Sequence, residues 1–227
     1  MADSNRPAST PTRSARAAGR LDGRQLSCRR GRRRLFERLD VSVEPGTITW
    51  LRGTNGAGKT SLMRILAGLS APEAGEVRWN DLPLQEAGVE AREGIVYVGH
   101  SNALKDDLTL RESLAFLGRL SCLDDAPARA DAALDRVALG DWRHATVRTL
   151  SQGQRRRGAL ARLALDDRPR TWILDEPYDA LDQTSIAMLS ALLVEHAARG
   201  GSVLLTSHQP LTLPGQREFD LETRRAS

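Results

Sequence analysis

The stretch Gly53-Thr54-Asn55-Gly56-Ala57-Gly58-Lys59-Thr60 carries the spacing G-x-x-x-x-G-K-[ST], and its residue types are those a phosphate requires. Glycines let successive backbone N–H groups wrap an anion, and a helix starting behind the loop presents its positive end. Lys59 brings a point charge to the β and γ phosphates, the Thr60 hydroxyl supplies a ligand to Mg²⁺, and Ser61 completes the nucleotide-binding set. Helix-end polarity contributes only about 0.3–1 kcal/mol at an exposed site. The convergent amides and Lys59 therefore dominate. A plain glycine-rich strand-to-helix turn is the structural alternative, and the presence of both Lys and Thr in register weighs against it.

A second chemical element, Asp175-Glu176, follows the apolar run Thr171-Trp172-Ile173-Leu174. An unpaired carboxylate at the end of a buried strand is costly, and a water-bridged Mg²⁺ gives Asp175 a partner. Glu176 then faces the water that attacks the γ-phosphate, as general base or positioning group. A helix-capping pair is the structural alternative. Pro177 and the following Asp179-x-x-Asp182 favour the catalytic one, although Asp182 also suits the cap of a helix starting near Thr184. His208 stands directly after Val203-Leu204-Leu205-Thr206-Ser207, and a lone histidine at a strand end reads as structural. His144 and His196 are read as structural too.

The segment Leu150-Ser151-Gln152-Gly153-Gln154 lies between the loop and the carboxylates. Ser151 with Gln154 three residues on is a capping box, so an ordinary helix start accounts for it. The same uncapped N–H groups also bind phosphate well. Arg155, Arg156 and Arg157 read as a solvated face of that helix.

The elements that position these groups alternate in type. Short strands are expected at Gln25–Arg29, Leu39–Val43 and, after the Pro45-Gly46 turn, Thr47–Leu51. A helix from Lys59 to Ala67, with Leu62, Ile65 and Leu66 on one face, stops at Gly68. Strands follow at Glu76–Trp79 and Ile95–Val98. Between Leu104 and Leu150 strand signals vanish, and Leu110–Leu120 and Ala128–Leu139 are helical by period. Then come a helix (Gln154–Leu165), a strand (Thr171–Leu174), a helix (Thr184–Ala198) and a strand (Ser202–Thr206). This order predicts an α/β fold with a mostly parallel core sheet, ligand at the strands' C-terminal ends, and an inserted helical subdomain over about 101–150. The expected organisation is a disordered basic tail at 1–20, one domain at 21–213 and a short C-terminal tail at 214–227.

At 227 residues with a net charge of +4, the chain suits one large core. No run reaches the roughly 18 apolar residues of a membrane span, so any membrane path is lined by another protein. The basicity is local: residues 1–34 hold ten Arg against Asp3 and Asp22. Only Lys59 and Lys105 of the 33 basic residues are lysine, a compositional bias that makes arginine content weak evidence for nucleic acid, and no nucleic-acid partner is expected. Cys28 and Cys122 have no metal or redox spacing and are read as free thiols.

The phosphate loop, the Leu150–Gln154 segment, Asp175-Glu176, Asp179-Ala180-Leu181-Asp182 and His208, in that order, resemble the ATP-binding subunits of ABC transporters. The resemblance implies a P-loop NTPase fold of the ABC ATPase type with an N-terminal antiparallel β subdomain, and the cofactors ATP and Mg²⁺. It implies that His208 contacts the γ-phosphate and that Tyr178–Asp182 links the site to an opposite subunit. Ser151, Gln152, Gly153 and Gln154 become a signature acting in trans, capping the ATP held by a second copy, so that the working form is a homodimer. Two departures stand out. Gly99-His100-Ser101 replaces the usual Gln after the strand Ile95–Val98, which puts His100 at a position that elsewhere contacts Mg²⁺. Arg29 and Arg30 stand where an aromatic usually stacks on adenine; a guanidinium can stack on a base, and a solvated Arg hairpin explains them equally.

Thr54–Leu62, Tyr97-Val98-Gly99-His100, Trp172–Pro177 and His208-Gln209-Pro210-Leu211 narrow the resemblance to the ATP-binding subunits of cytochrome c maturation heme exporters, over roughly residues 24–213. That resemblance implies ATP hydrolysis coupled to separate integral membrane permease subunits, at the cytoplasmic face of a bacterial inner membrane. The alternatives are the ATPase of another small exporter and, from a different class, a soluble ABC ATPase acting on ribosomes or DNA. The tandem nucleotide units or long coiled coil usual in that last class are missing from this chain.

Overall fold

The computed structural model describes residues 18–210 and 212–222. Residues 1–17 of the expected basic tail lie outside the described residues, as does Leu211 of the His208–Leu211 motif. The last three residues of that tail segment are part of the fold: Ala18 is buried, Gly19 lies against the Trp79 indole, and Arg20 N–H donates to Asn80 Oδ1 at 2.9 Å.

Two sheets form the frame. The N-terminal one is antiparallel, built from β1 (Leu21–Arg30), β2 (Arg33–Val43), β4 (Ala74–Trp79) and β5 (Leu82–Pro83) in the order β2-β1-β4-β5. Gly31, at φ 59°, turns β1 into β2. The core sheet contains β3 (Ile48–Arg52), β6 (Ile95–Val98), β7 (Thr171–Leu174), β8 (Ser202–Leu205) and β9 (Gln216–Asp220) in the order β6-β7-β8-β3-β9, with every pairing parallel. β7 and β8 are buried along their whole length, as continuous apolar runs in a doubly covered parallel sheet must be.

Helix α1 (Lys59–Leu66) buries Leu62, Met63, Ile65 and Leu66 between the two sheets, in one core with Leu26, Phe36, Leu51 and Ile173. It ends as expected: Gly68 takes φ 69° and the Leu69 N–H donates back to Arg64 O at 2.8 Å. Helix α2 (Leu84–Gly94), broken at Gly88, was not expected from the sequence. The inserted helical subdomain contains α3 (Leu110–Leu120), capped by Thr109 with Glu112, and α4 (Ala126–Arg136), with Pro127 in its first turn. Leu110, Leu114, Ala130 and Leu134 fill its own core. A leucine so buried contributes about 1.5–3 kcal/mol, enough for the insertion to hold its shape.

Helix α5 (Gln152–Leu160) starts two residues earlier than expected and passes into a 3₁₀ turn at Ala161–Ala164 instead of running on to Leu165. Helix α6 (Gln183–Ala198) packs Leu189, Leu192 and Leu193 on β7 and β8. The expected tail after 213 requires a correction, because β9 extends the core sheet by pairing with β3 from Ile48↔Gln216 to Arg52↔Asp220. Its charged residues hide the strand pattern; Arg52 pairs with Glu218 at 2.7 Å, and Leu221 behind the strand is fully buried. Among the described residues no helix is long and apolar enough to cross a membrane.

His196 on α6 is a structural histidine. It is 1% exposed, stacks on Trp172 with ring centroids 3.5 Å apart, and its Nε2 lies 2.7 Å from Arg170 O. Burial pushes its pKa from 6.5 to about 4. Between those values the unfolded chain binds the extra proton, so this stability is fully present above pH 6.5 and is lost as pH falls toward 4. At about 1.4 kcal/mol per unit the loss approaches about 3 kcal/mol. The stability gap between wild type and His196→Gln is expected to narrow over that window in urea titrations. A gap constant with pH would remove His196 from this role.

Candidate active site

The phosphate loop leaves β3 and closes on α1, and its conformation depends on glycine. Gly53 has φ 146° and Gly58 φ 107°. A Cβ at Gly58 would stand 3.1 Å from Leu35 and 3.3 Å from the Phe36 ring, so a side chain there is blocked by space and by backbone. The Lys59 ammonium arches over the loop, donating to Gly53 O at 2.7 Å and Thr54 O at 3.2 Å. Asn55, Gly56, Gly58, Lys59, Thr60 and Ser61 line a cavity of about 390 Å³. Gly53, Thr54 and Ala57 shape the loop from behind. The Ala57 methyl is in the core and its N–H donates to Thr54 O, while the Thr54 hydroxyl is held by Glu222.

Asp175, Glu176 and His208 line the same cavity. The Asp175 N–H donates to Val98 O at 2.8 Å, which fixes the carboxylate at the C-terminal edge of the core sheet. Thr206 is the unforeseen member of this group. Its hydroxyl donates to Asp175 Oδ1 at 3.1 Å and accepts from the Glu176 N–H at 2.8 Å, so one buried side chain positions both acidic residues. A hydroxyl residue closing the run Val203-Leu204-Leu205 was its only signal.

Glu176 sits at φ 50°, a left-handed conformation that costs free energy in a residue with a side chain. Its Oε2 is buried with no hydrogen-bond partner, and its Oε1 lies 3.6 Å from His208 Nε2. Burial raises the Glu176 pKa above the ordinary carboxylate range, against the opposing pull of His208 and Lys59. A carboxylate held this way, dry on one oxygen and raised in pKa by burial, suits proton acceptance. The His208 side chain remains 55% exposed at the cavity mouth.

The cavity is bipolar, with Lys59, Arg30 and Arg33 opposite the acidic pair. Of the two arginines weighed for base stacking, Arg29 turns away to Glu73 at 3.2 Å, as the solvated-hairpin alternative has it, and Arg30 lines the cavity together with Arg33 and Leu35. Consecutive strand residues point to opposite faces, so Arg29 and Arg30 cannot share one site. His100 is outside the cavity lining; it is 77% exposed and its Nδ1 stands 3.6 Å from Asp179. The structure does not bring it to Asp175 and Thr60.

The signature residues are also outside that cavity. Ser151 caps α5, accepting from the Gln154 N–H at 3.2 Å while Gln154 Oε1 accepts from the Ser151 N–H at 2.9 Å. Ser151 and Gln152 are exposed. A Cβ at Gly153 would come within 3.2 Å of Ala180 O, so the helix start rests on the turn after the acidic pair. Asp182 caps α6 through the Ser185 N–H at 2.8 Å. The solvated face expected for Arg155–Arg157 is corrected at Arg156, which is 3% exposed; Arg155 and Arg157 are half-buried, with Arg155 tied to Leu150 O and Arg148 O.

Comparison with known proteins agrees with this geometry. The ABC transporter family model matches residues 36–179. The chain is 45% identical over 194 residues to a cytochrome c biogenesis ATP-binding export protein of Nitrosomonas europaea, covering 85% of this chain and 90% of that protein. A protein of the same description from Methylococcus capsulatus is 47% identical over 194 residues, covering 84% and 91%. A solved ATP-binding subunit of an ABC transporter superposes with a TM-score of 0.75 at 26% identity, covering 83% of this chain and 79% of that one. The chain therefore belongs to the ABC transporter family, as an ATP-binding subunit of the kind that the cytochrome c biogenesis export proteins represent.

Proposed function

We propose that this chain hydrolyses ATP and couples that reaction to a separate membrane permease in heme export, or release of a heme-loaded chaperone, during assembly of c-type cytochromes. The observation that carries the reading is the convergence of Lys59, Thr60, Asp175, Glu176 and His208 on one cavity of about 390 Å³. The relatives' description as cytochrome c biogenesis ATP-binding export proteins supplies the process.

In this reading the amides of the loop and Lys59 hold the β and γ phosphates. Asp175 and Thr60 offer hard oxygens of the sort Mg²⁺ takes, and the described residues hold no cluster of three or more His, Cys, Asp or Glu that would form an all-protein cage. That donor set fits an ion completed by phosphate and water, and when bound it supplies charge neutralisation at the phosphates. Glu176 accepts the proton of a water whose oxygen attacks the γ-phosphorus, as the bond to the β-phosphate oxygen breaks to give ADP and phosphate. His208 contacts the γ-phosphate from the cavity mouth.

The exposed start of α5 supports a homodimer in which Ser151 and Gly153 complete the other copy's site, with Asp182 and its turn between the two. The absence of the signature residues from their own chain's cavity accords with that arrangement. A subunit of this kind works at the cytoplasmic face of the bacterial inner membrane, held there by the permease.

Deletion of the gene is expected to abolish c-type cytochromes in heme-stained gels, with recovery from a plasmid copy of the wild type but not of Lys59→Ala. Normal cytochromes in the deletion strain would overturn the cytochrome assignment and leave the ATPase reading standing.

A further inference from the structure

Arg156 is a buried cation whose position the phosphate chemistry does not explain. Its side chain reaches from α5 beneath the acidic pair and is 3% exposed; Asp179, Asp175 and Glu176 offset part of the cost of burying its charge, but among the described residues no carboxylate comes within ion-pair distance of it. The guanidinium instead donates to oxygens of two segments. Nη2 meets Glu176 O at 2.6 Å and Asp175 O at 3.1 Å, and Nε meets Pro177 O at 3.4 Å. Nη1 meets Gly99 O at 3.0 Å, Asn102 Oδ1 at 3.4 Å and His100 O at 3.5 Å.

Burying a guanidinium is costly, and an apolar side chain would anchor a helix to a core at lower cost. The planar fork of donors does what an apolar group cannot: it fixes carbonyls in direction as well as distance. Two of those carbonyls flank the Glu176 α-carbon, in a backbone held at φ 50°. Thr206 holds the N–H of the same residue from the opposite side. Glu176 is thus clamped on both sides, and one jaw of the clamp belongs to the helix that begins at Ser151.

We propose that Arg156 is a positioning residue for hydrolysis, locking the 175–177 main chain and the 99–102 loop to α5 so that the Glu176 carboxylate is aimed only while helix and loop are docked. The inference rests on the catalytic role of Glu176. Any movement of α5 or of the 99–102 loop then reaches the general base through one side chain.

The test uses the full chain carrying Arg156→Gln, alone and together with Glu176→Gln, with ATP affinity and kcat measured for each. Misplacing a catalytic group by about 1 Å costs on the order of 100-fold. The single variant is therefore expected to lose about 10- to 100-fold in kcat with its ATP dissociation constant within about twofold of wild type. In the Glu176→Gln background the substitution at Arg156 is expected to cost no more, because no carboxylate remains to be aimed. Unchanged kcat, or the same fractional loss in both backgrounds, overturns the proposal. Should Arg156→Gln not fold, Arg156→Lys retains the charge without the fork. It is expected to show the same kcat loss at unchanged affinity, and full activity in it overturns the proposal. Undiminished turnover in Glu176→Gln alone identifies failure of the underlying catalytic reading instead.

Discussion

Replacing Glu176 by Gln is expected to lower turnover by about 10²- to 10⁴-fold, the range that loss of a general base produces. The substitution preserves shape and removes the capacity to accept a proton. It breaks no hydrogen bond of Oε2, which has none, and it relieves the cost of burying a charge. The melting temperature should therefore hold or rise while hydrolysis collapses. With hydrolysis suppressed, ATP is expected to stay in the loop and hold the proposed homodimer together, so size-exclusion chromatography with ATP and Mg²⁺ is expected to show a dimeric peak. Turnover at the wild-type rate would remove Glu176 from its role, and a variant that binds ATP but stays monomeric would count against the signature acting in trans.

Lys59→Ala is expected to act on binding instead of on the chemical step alone. A charge-assisted hydrogen bond contributes about 1.5–3 kcal/mol, which converts to a 10- to 100-fold rise in the ATP dissociation constant. The glycine conformations and the core contact of the Ala57 methyl are independent of the ammonium, so the loop should keep its shape. The two bonds to Gly53 O and Thr54 O disappear with the side chain, but both acceptors lie near solvent and are readily hydrated. Isothermal titration of ATP into the folded variant measures the effect. Affinity equal to wild type would mean that the backbone cradle suffices and that Lys59 contributes nothing to the bound state.

The legible parts of the site are those whose chemistry lies in consecutive residues. Gly53–Thr60 needs its own spacing to wrap a phosphate, and β7 carries Asp175 and Glu176 at its end whichever strands flank it. Four of the five strands of the parallel core and the helical insertion followed from apolar runs and the helical period, while the antiparallel arrangement of the N-terminal strands came from the resemblance to ABC ATPases. Where charged and apolar residues mix within a strand or helix, the local pattern misleads. β9, with Arg217, Glu218 and Asp220 among its five residues, looks like a solvated tail until β3 is seen beside it. Three adjacent arginines on α5 look like one solvated face, because local sequence does not show that the middle one, Arg156, is turned into the fold.

The chain's order of residues was thus enough to establish the loop, the acidic pair, the signature's capping box and the class of fold, since each depends on neighbours within a few positions. Only the folded chain could place Thr206 between Asp175 and Glu176, put Arg33 instead of Arg29 in the cavity, leave His100 outside it, and seat Arg156 under the 175–177 main chain. The Arg156 bonds, for example, join residues separated by 19 to 57 positions, from Asp175 to Gly99. Their geometry is set by how the sheet, α5 and the insertion pack together, which no local pattern of residues encodes.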